Sequence, residues 1–222
     1  MNTTHREPDA RLVAALAGPD SSARLRAALA AGTDGDVRLA EILVARCAVE
    51  PDFFVRDMLT WALCRMPAEV TVPMLLTELD SGVSQARSQA LHTLSKIGDR
   101  SAWPQVAGML HDVDEEVALS AWRAGAALVP PGSEPVLAAE LAKEFGRGSH
   151  SVQRSLSRAL VTLGDAADPV IDAAADSADP HIRAHAEATR RLRLDPESGF
   201  TLSLEFAKRV AATGTDGRQR EG

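Results

Sequence analysis

The chain has no tyrosine, three tryptophans and five phenylalanines among its 222 residues. A core this poor in aromatics must be closed by small aliphatic side chains. Cysteine is as scarce, with Cys47 and Cys64 alone and no CxxC spacing. Two isolated thiols make neither a disulfide framework nor a zinc or redox motif. Both fall inside apolar helical patterns, where an inert buried thiol is expected. Lysine occurs only at Lys96, Lys143 and Lys208, so positive charge is almost all arginine. The net charge of −7 disfavours nucleic acid and anionic lipid as partners. No apolar run approaches the roughly 18 residues of a membrane span. The first nine residues are polar and carry no apolar signal core. These absences predict a soluble, cytoplasmic protein with no membrane contact and no cofactor.

Hydrophobic residues make up 45% of the chain, ample for one buried core or one continuous stack. Ala and Leu, both strong helix formers, dominate. A block recurs about every thirty-one residues. Its arginine-equivalent positions are Arg24, Arg56, Arg87, Ala118, Gln153 and Arg183, at intervals of 32, 31, 31, 35 and 30. Four residues before each stands Asp20, Asp52, Val83, Asp114, Ser149 or Asp179. Five of the six are helix N-caps by type, each worth about 1 kcal/mol, and Ser84 is the expected cap where Val83 fails. Mostly apolar residues then recur at plus three, six, seven and ten, one face of a 3.6-residue period. Gly35, Pro67, Gly98 and Gly164 end the copies.

A shorter helix is expected after each terminator, over 37–48, 68–79, 101–111, 134–145 and 166–175. Residues 8–17 read as a leading half-repeat and 203–212 as a trailing helix. The 35-residue interval contains Pro130-Pro131-Gly132, a rigid loop. The spacing predicts an all-α fold with no strands, a right-handed α-α superhelix of about six helical hairpins. It is expected as one repeat domain over 8–212, with disordered ends at 1–7 and 213–222.

Helix pairs of this period resemble HEAT repeats, and most of all the short bacterial kind found in phycobilin lyases. The likeness rests on Asp52-x-x-Val55-Arg56 with Leu63 and Pro67, on Asp179-x-x-Ile182-Arg183, and on Leu94 with Gly98. It spans about residues 8–193. The resemblance implies that the recurring residues Asp52, Arg56, Arg87, Asp114, Asp179 and Arg183 are structural. The Asp caps a helix and the Arg pairs with acidic or carbonyl groups of a neighbouring unit. Asp52 with Arg56, and Asp179 with Arg183, also stand at the i, i+4 spacing that allows pairing along one helix.

His181 and His185, four apart on one helix, are a weak candidate metal pair. No Glu follows His181 as in a zinc-hydrolase helix, and a surface pair is preferred. Iron-binding HEAT enzymes similar to deoxyhypusine hydroxylase carry His-Glu dipeptides, and this sequence has none. HEAT-like alkylpurine DNA glycosylases use tryptophans and a carboxylate, for which Trp103 with Asp112 or Glu69 would be the counterpart. Filling of an alanine-rich core by Trp61, Trp103 and Trp122 is the preferred account.

In HEAT arrays the second helices line the concave side. Here those helices with their flanking residues carry three basic against eleven acidic residues. The first helices of the last five copies carry eleven basic against seven acidic. An anionic inner surface fails the requirement for phosphate contacts and suits a basic protein segment. The bland alternative is that the acids keep an alanine-rich stack soluble. The expected contact set is Glu69, Glu78, Asp80, Glu140, Glu144, Asp168 and Asp172. The expected function is a non-catalytic protein–protein interaction scaffold or adaptor with a protein partner. The alternative is a HEAT-like enzyme, of the bilin-lyase or alkylpurine-glycosylase type. The arginines Arg190, Arg191 and Arg193 end the last repeat helix, where positive charge offsets the negative end of the helix dipole.

Overall fold

The computed structural model describes residues 9–195. The expected disordered ends and the trailing helix over 203–212 lie outside the described residues. Among the described residues all regular structure is helical, and the fold is an all-α repeat of the α-solenoid kind. Long helices alternate with shorter ones. The long set is α2 (Ser21–Asp34), α4 (Phe53–Cys64), α6 (Ser84–Ile97), α8 (Glu115–Leu128), α10 (His150–Thr162) and α12 (Pro180–Leu194). The shorter set is α1 (Ala10–Ala17), α3 (Ala40–Val49), α5 (Ala68–Glu78), α7 (Trp103–Gly108), α9 (Glu134–Ala142) and α11 (Asp168–Ala175). The chain divides into two compact units, Met1–Pro131 and Gly132–Gly222. The division falls in the Pro-Pro-Gly stretch where the repeat interval lengthens.

In the first unit α2, α4, α6 and α8 pack side by side in chain order. Their contact faces are small and aliphatic: Ala27, Ala28, Ala31, Ala62, Ala86, Ala90 and Ala121 are all buried. Short side chains let the helices approach closely. The closest approach is at Gly32, where an added Cβ would stand 2.8 Å from the Ala62 Cα and collide with the Trp61 ring. Buried hydroxyls cross the long-helix stack in matching register. Thr60 meets Thr93 at 3.3 Å and Ser88 meets Ser120 at 2.9 Å. In the second unit α10 packs on α12, and Ser157 meets Thr189 at 2.8 Å. Each such bond adds little net stability, but an unpaired buried hydroxyl costs more, so the pairs fix the helices' register.

The pairing of helices differs from the sequence expectation. That expectation joined each long helix to the short helix after it. Of its two neighbours in the chain, a short helix packs more closely on the long helix that follows, as α1 does on α2, α3 on α4, α5 on α6, α7 on α8 and α11 on α12; α3 packs as closely on α6, and α9 packs mainly on the 3₁₀ turn at Gly164–Ala167 and on α11. The reason lies in the two kinds of connection. After α2, α6 and α10 the chain passes through a 3₁₀ turn, at Val37–Leu39, Arg100–Ala102 and Gly164–Ala167. These turns take up the first residues of the helices expected from 37, 101 and 166. Gly35 and Gly98 end α2 and α6 in the left-handed conformation, at φ 64° and 77°. The other connection, from short helix to long, is a hydrogen-bonded corner.

Two further expectations are corrected. Val83 caps α6 without any side-chain bond, and Ser84 lies inside the helix. Cys47 is buried, but Cys64 is exposed because it falls at the last residue of α4. Of the tryptophans only Trp122 is fully buried, donating its indole N–H to the Leu110 carbonyl at 2.9 Å. Trp61 is partly exposed, lying over Gly32 with the Arg65 guanidinium 5.8 Å from its ring centre.

Gly32→Ala should lower the melting temperature although alanine is the better helix former. Overpacking against backbone costs about 1–3 kcal/mol, or roughly 3–8 °C for a chain of this size. Gly108→Ala, with nothing within 4 Å of its new Cβ, is the control and should leave thermal unfolding unchanged or raised.

Candidate interaction surface

At each corner the preceding short helix ends in exposed carbonyls and the next long helix begins with unpaired N–H groups. An aspartate meets the second need. Asp20 accepts from the Ser22 and Ala23 N–H groups, Asp52 from Phe54 and Val55, Asp114 from Glu116 and Val117, and Asp179 from His181. An arginine meets the first. Arg24 donates to the Gly18 and Pro19 carbonyls, Arg56 to Glu50 and Pro51, Arg87 to Ser81, and Arg183 to Ser177, all at 2.8–3.0 Å. Where Gln153 replaces arginine it reaches the Gly146 and Gly148 carbonyls at 3.4 and 3.3 Å. Asp52 and Arg56, like Asp179 and Arg183, therefore bond to the corner backbone and not to each other.

A third position was not singled out from the sequence. Two residues before the cap, Glu50, Ser81, Asp112 and Ser177 each accept the cap residue's own N–H. The signal was an oxygen-bearing side chain six residues before the arginine, in four of the six copies. Two of these residues also join successive corners. Arg24 forms a two-pronged pair with Glu50 at 2.7 and 2.8 Å, and Arg87 reaches Asp112 at 3.2 and 3.4 Å. Gln85 adds a link from the start of α6 to the Cys47 and Glu50 carbonyls, both at 2.9 Å.

Glu50 is wholly buried and also accepts from Arg46 at 2.7 Å. Burial pushes its carboxyl up, but the bonds from Arg24, the Asp52 N–H and Arg46 win and hold it down at about 2. Burial pushes the Cys47 thiol up to about 12, which removes its nucleophilicity.

His185 is not the surface residue expected. Its ring is buried, edge-on to Phe145 at 4.9 Å. Nδ1 accepts the Gly146 N–H at 3.0 Å, which places the proton on Nε2, 2.9 Å from the Gln153 carbonyl and 3.2 Å from Ser157 Oγ. Both nitrogens serve the packing, while His181 is exposed at the start of α12. Burial pushes the His185 pKa down to about 4. Asp112, the carboxylate considered beside Trp103, is held by Arg87 and the Asp114 N–H.

The seven acids expected to contact a partner divide by unit. In the second unit Glu140 pairs with Lys143 at 2.7 Å, Glu144 with Arg147 at 2.8 Å, Asp168 with Arg193 at 3.0 Å and Asp172 with Arg190 at 2.6 Å. The basic cluster at the end of α12 and the acids of α11 thus face each other. Arg193 also holds Asp165 and the Gly164 carbonyl, and Arg191 reaches Glu187. In the first unit Glu69, Glu78 and Asp80, on α5 and just after it, form no ion pair among the described residues. No helix among the described residues is long and apolar enough to cross a membrane.

No family model and no curated protein matches the chain. Among solved structures it is similar to an engineered protein at 21% identity over 85% of this chain and 96% of that one, with a TM-score of 0.46. A second engineered protein is 18% identical over 81% of this chain and 95% of that one, with a TM-score of 0.45. A designed armadillo repeat protein is 16% identical over 82% of this chain and 98% of that one, with a TM-score of 0.43.

Two pH windows follow from these groups. The folded pKa of Glu50 lies below its unfolded value near 4.5, so its contribution is complete above pH 4.5 and disappears as pH falls to 2. Glu50→Gln should cost roughly 3 kcal/mol at neutral pH and flatten urea-unfolding free energy across that window. The folded pKa of His185 also lies below its unfolded value, near 6.5, because burial disfavours the charged ring. Stability should therefore be complete above pH 6.5 and decline by up to about 3 kcal/mol toward pH 4. The same titration of His185→Gln should lose that slope.

Proposed function

We propose that the chain is a non-catalytic, HEAT-like scaffold or adaptor of the cytoplasm that binds a basic protein partner through acidic residues of its shorter helices. The observation that carries this reading is the unequal use of charge in the first unit. The corner arginines Arg24, Arg56 and Arg87 are spent on carbonyls and buried or half-buried carboxylates. Glu69, Glu78 and Asp80 form no ion pair among the described residues, and a basic segment would supply one. Glu140, Glu144, Asp168 and Asp172 belong to the same proposed set. A partner must displace or share their present cations, so they rank behind the α5 acids.

The non-catalytic part of the reading is supported by what the buried titratable groups do. Glu50 and His185 have their polar atoms engaged by backbone and neighbouring side chains, and Cys47 is held as a neutral thiol. None is aimed at open space, where a substrate would need it.

Affinity capture from the native cell, followed by mass spectrometry, tests the reading. The wild-type chain should enrich a protein with a basic surface segment. Glu69→Lys combined with Glu78→Lys should reduce that capture at least tenfold with unchanged far-ultraviolet circular dichroism. Capture that survives the double reversal would remove the α5 acids from the contact set.

A further inference from the structure

The corners of the first unit form a row. Arg24 joins the first corner to the second through Glu50, Gln85 joins the second to the start of α6, and Arg87 joins the third to the fourth through Asp112. The matching register of Thr60 with Thr93 and Ser88 with Ser120 sets α4, α6 and α8 parallel, with their first turns at one edge. Along this edge stand exposed apolar side chains. Phe53 and Phe54, the first two residues of α4, are 66% and 71% exposed and contact each other edge-to-face at 5.6 Å. Val49 beside them is 63% exposed, Val83 at the next corner 51%, and Val113 at the last 95%. A shallow depression lined by Ser21, Ser22, Leu25, Asp52, Phe54 and Val55 lies next to the aromatic pair. Scattered exposed apolar residues are ordinary, but here they fall at three successive linked corners along one edge.

The charge of the edge identifies what fits it. Its arginines point inward to the corner carbonyls, and its capping aspartates are occupied by first-turn N–H groups. The carboxylates that remain, Asp80 after α5 and Glu115 and Glu116 at the start of α8, are exposed. Packed helices lie 8–10 Å apart, so α4 to α8 spans about 20 Å, the length of roughly 13 helical residues. We propose that this edge is a docking site for an amphipathic cationic peptide segment of another protein. The segment's apolar side covers Phe53, Phe54, Val83 and Val113, and its lysines or arginines meet Asp80, Glu115 and Glu116. The proposal rests on the reading of the chain as a protein-binding scaffold and adds an edge and a partner chemistry to it.

The test uses the full chain and a fluorescein-labelled 18-residue peptide of leucine and lysine arranged with one apolar helical face. Its anisotropy should report saturable binding at micromolar concentration. A leucine–glutamate peptide of the same pattern should bind at least tenfold more weakly, as should a leucine–lysine peptide scrambled to abolish the apolar face. Phe53→Ser with Phe54→Ser, and separately Glu115→Lys with Glu116→Lys, should each weaken binding at least tenfold. All four side chains are exposed, so helicity should be unchanged; the melting temperature should hold for the phenylalanine variant and fall by a few degrees for the lysine variant, whose new charges oppose the α8 dipole. If the phenylalanine variant does not fold, Val113→Ser takes its place and should weaken binding about threefold. Equal binding by the substituted chains, or equal binding of the glutamate peptide, overturns the proposal. So does concentration-dependent dimerisation in sedimentation that the phenylalanine substitutions abolish, since a second copy would then cover the edge. Loss of native-partner capture on reversing Glu69 and Glu78, with peptide binding indifferent to Phe53 and Phe54, would overturn the edge alone and leave the scaffold reading standing.

Discussion

At the turn from a short helix into a long one, the arginine side chain runs back across the corner and donates to the carbonyl six residues before it, and at Arg24 and Arg56 to the one five before as well. The interaction solves a problem that every helical repeat faces. A helix that ends against its neighbour leaves carbonyls without partners, and the next helix starts with N–H groups in the same state. Here one guanidinium, with a capping carboxylate at every arginine corner but the one before α6, satisfies both within a turn of three to five residues. The same guanidinium that closes one corner with its Nη1 then reaches the next with Nε and Nη2, through Arg24 with Glu50 and Arg87 with Asp112. The repeat is therefore joined along its corners as well as through its core.

Burial of Glu50 shows how far this linkage goes. A carboxylate removed from water costs several kcal/mol unless its lone pairs are filled. Two arginines and a backbone N–H fill them. The result is a local structure that tolerates little substitution and that depends on acid–base state. His185 occupies a comparable place in the second unit, with a neutral ring. Its Nδ1 receives a backbone N–H, so a second proton has nowhere favourable to go. In both cases a titratable side chain in a buried position serves the packing of neighbouring helices, which removes it from any account of chemistry on a substrate.

The distribution of surface charge is the other consequence. The corner arginines Arg24, Arg56 and Arg87 are consumed inside, and the carboxylates of α5 and of the start of α8 form no ion pair among the described residues. In the second unit the reverse has happened. The arginines at the end of α12 turn onto the acids of α11, and much of the apparent charge of both helices is internally balanced. Two units with the same repeat thus present different electrostatic faces. The exposed apolar residues at the corners of the first unit add a hydrophobic component to its anionic edge.

The helical period, the caps at Asp20, Asp52, Asp114 and Asp179, and the recurrence of the corner arginine could be read from the chain alone. They depend on residues within a few positions of one another, where backbone geometry leaves few choices. Pro130-Pro131-Gly132 was legible as a rigid loop within one domain, whereas the division into two units at that loop comes from the contacts. Other features needed the third dimension. Whether Arg190 meets Asp172, whether His185 faces water or Gln153, and which helix a short helix packs against all depend on contacts between residues 18 to 39 apart. A sum of charges along a helix face counts Asp168 and Glu69 alike. Only packing distinguishes them, because a charge's effect is set by the partner within about 4 Å of it, and that partner comes from another helix.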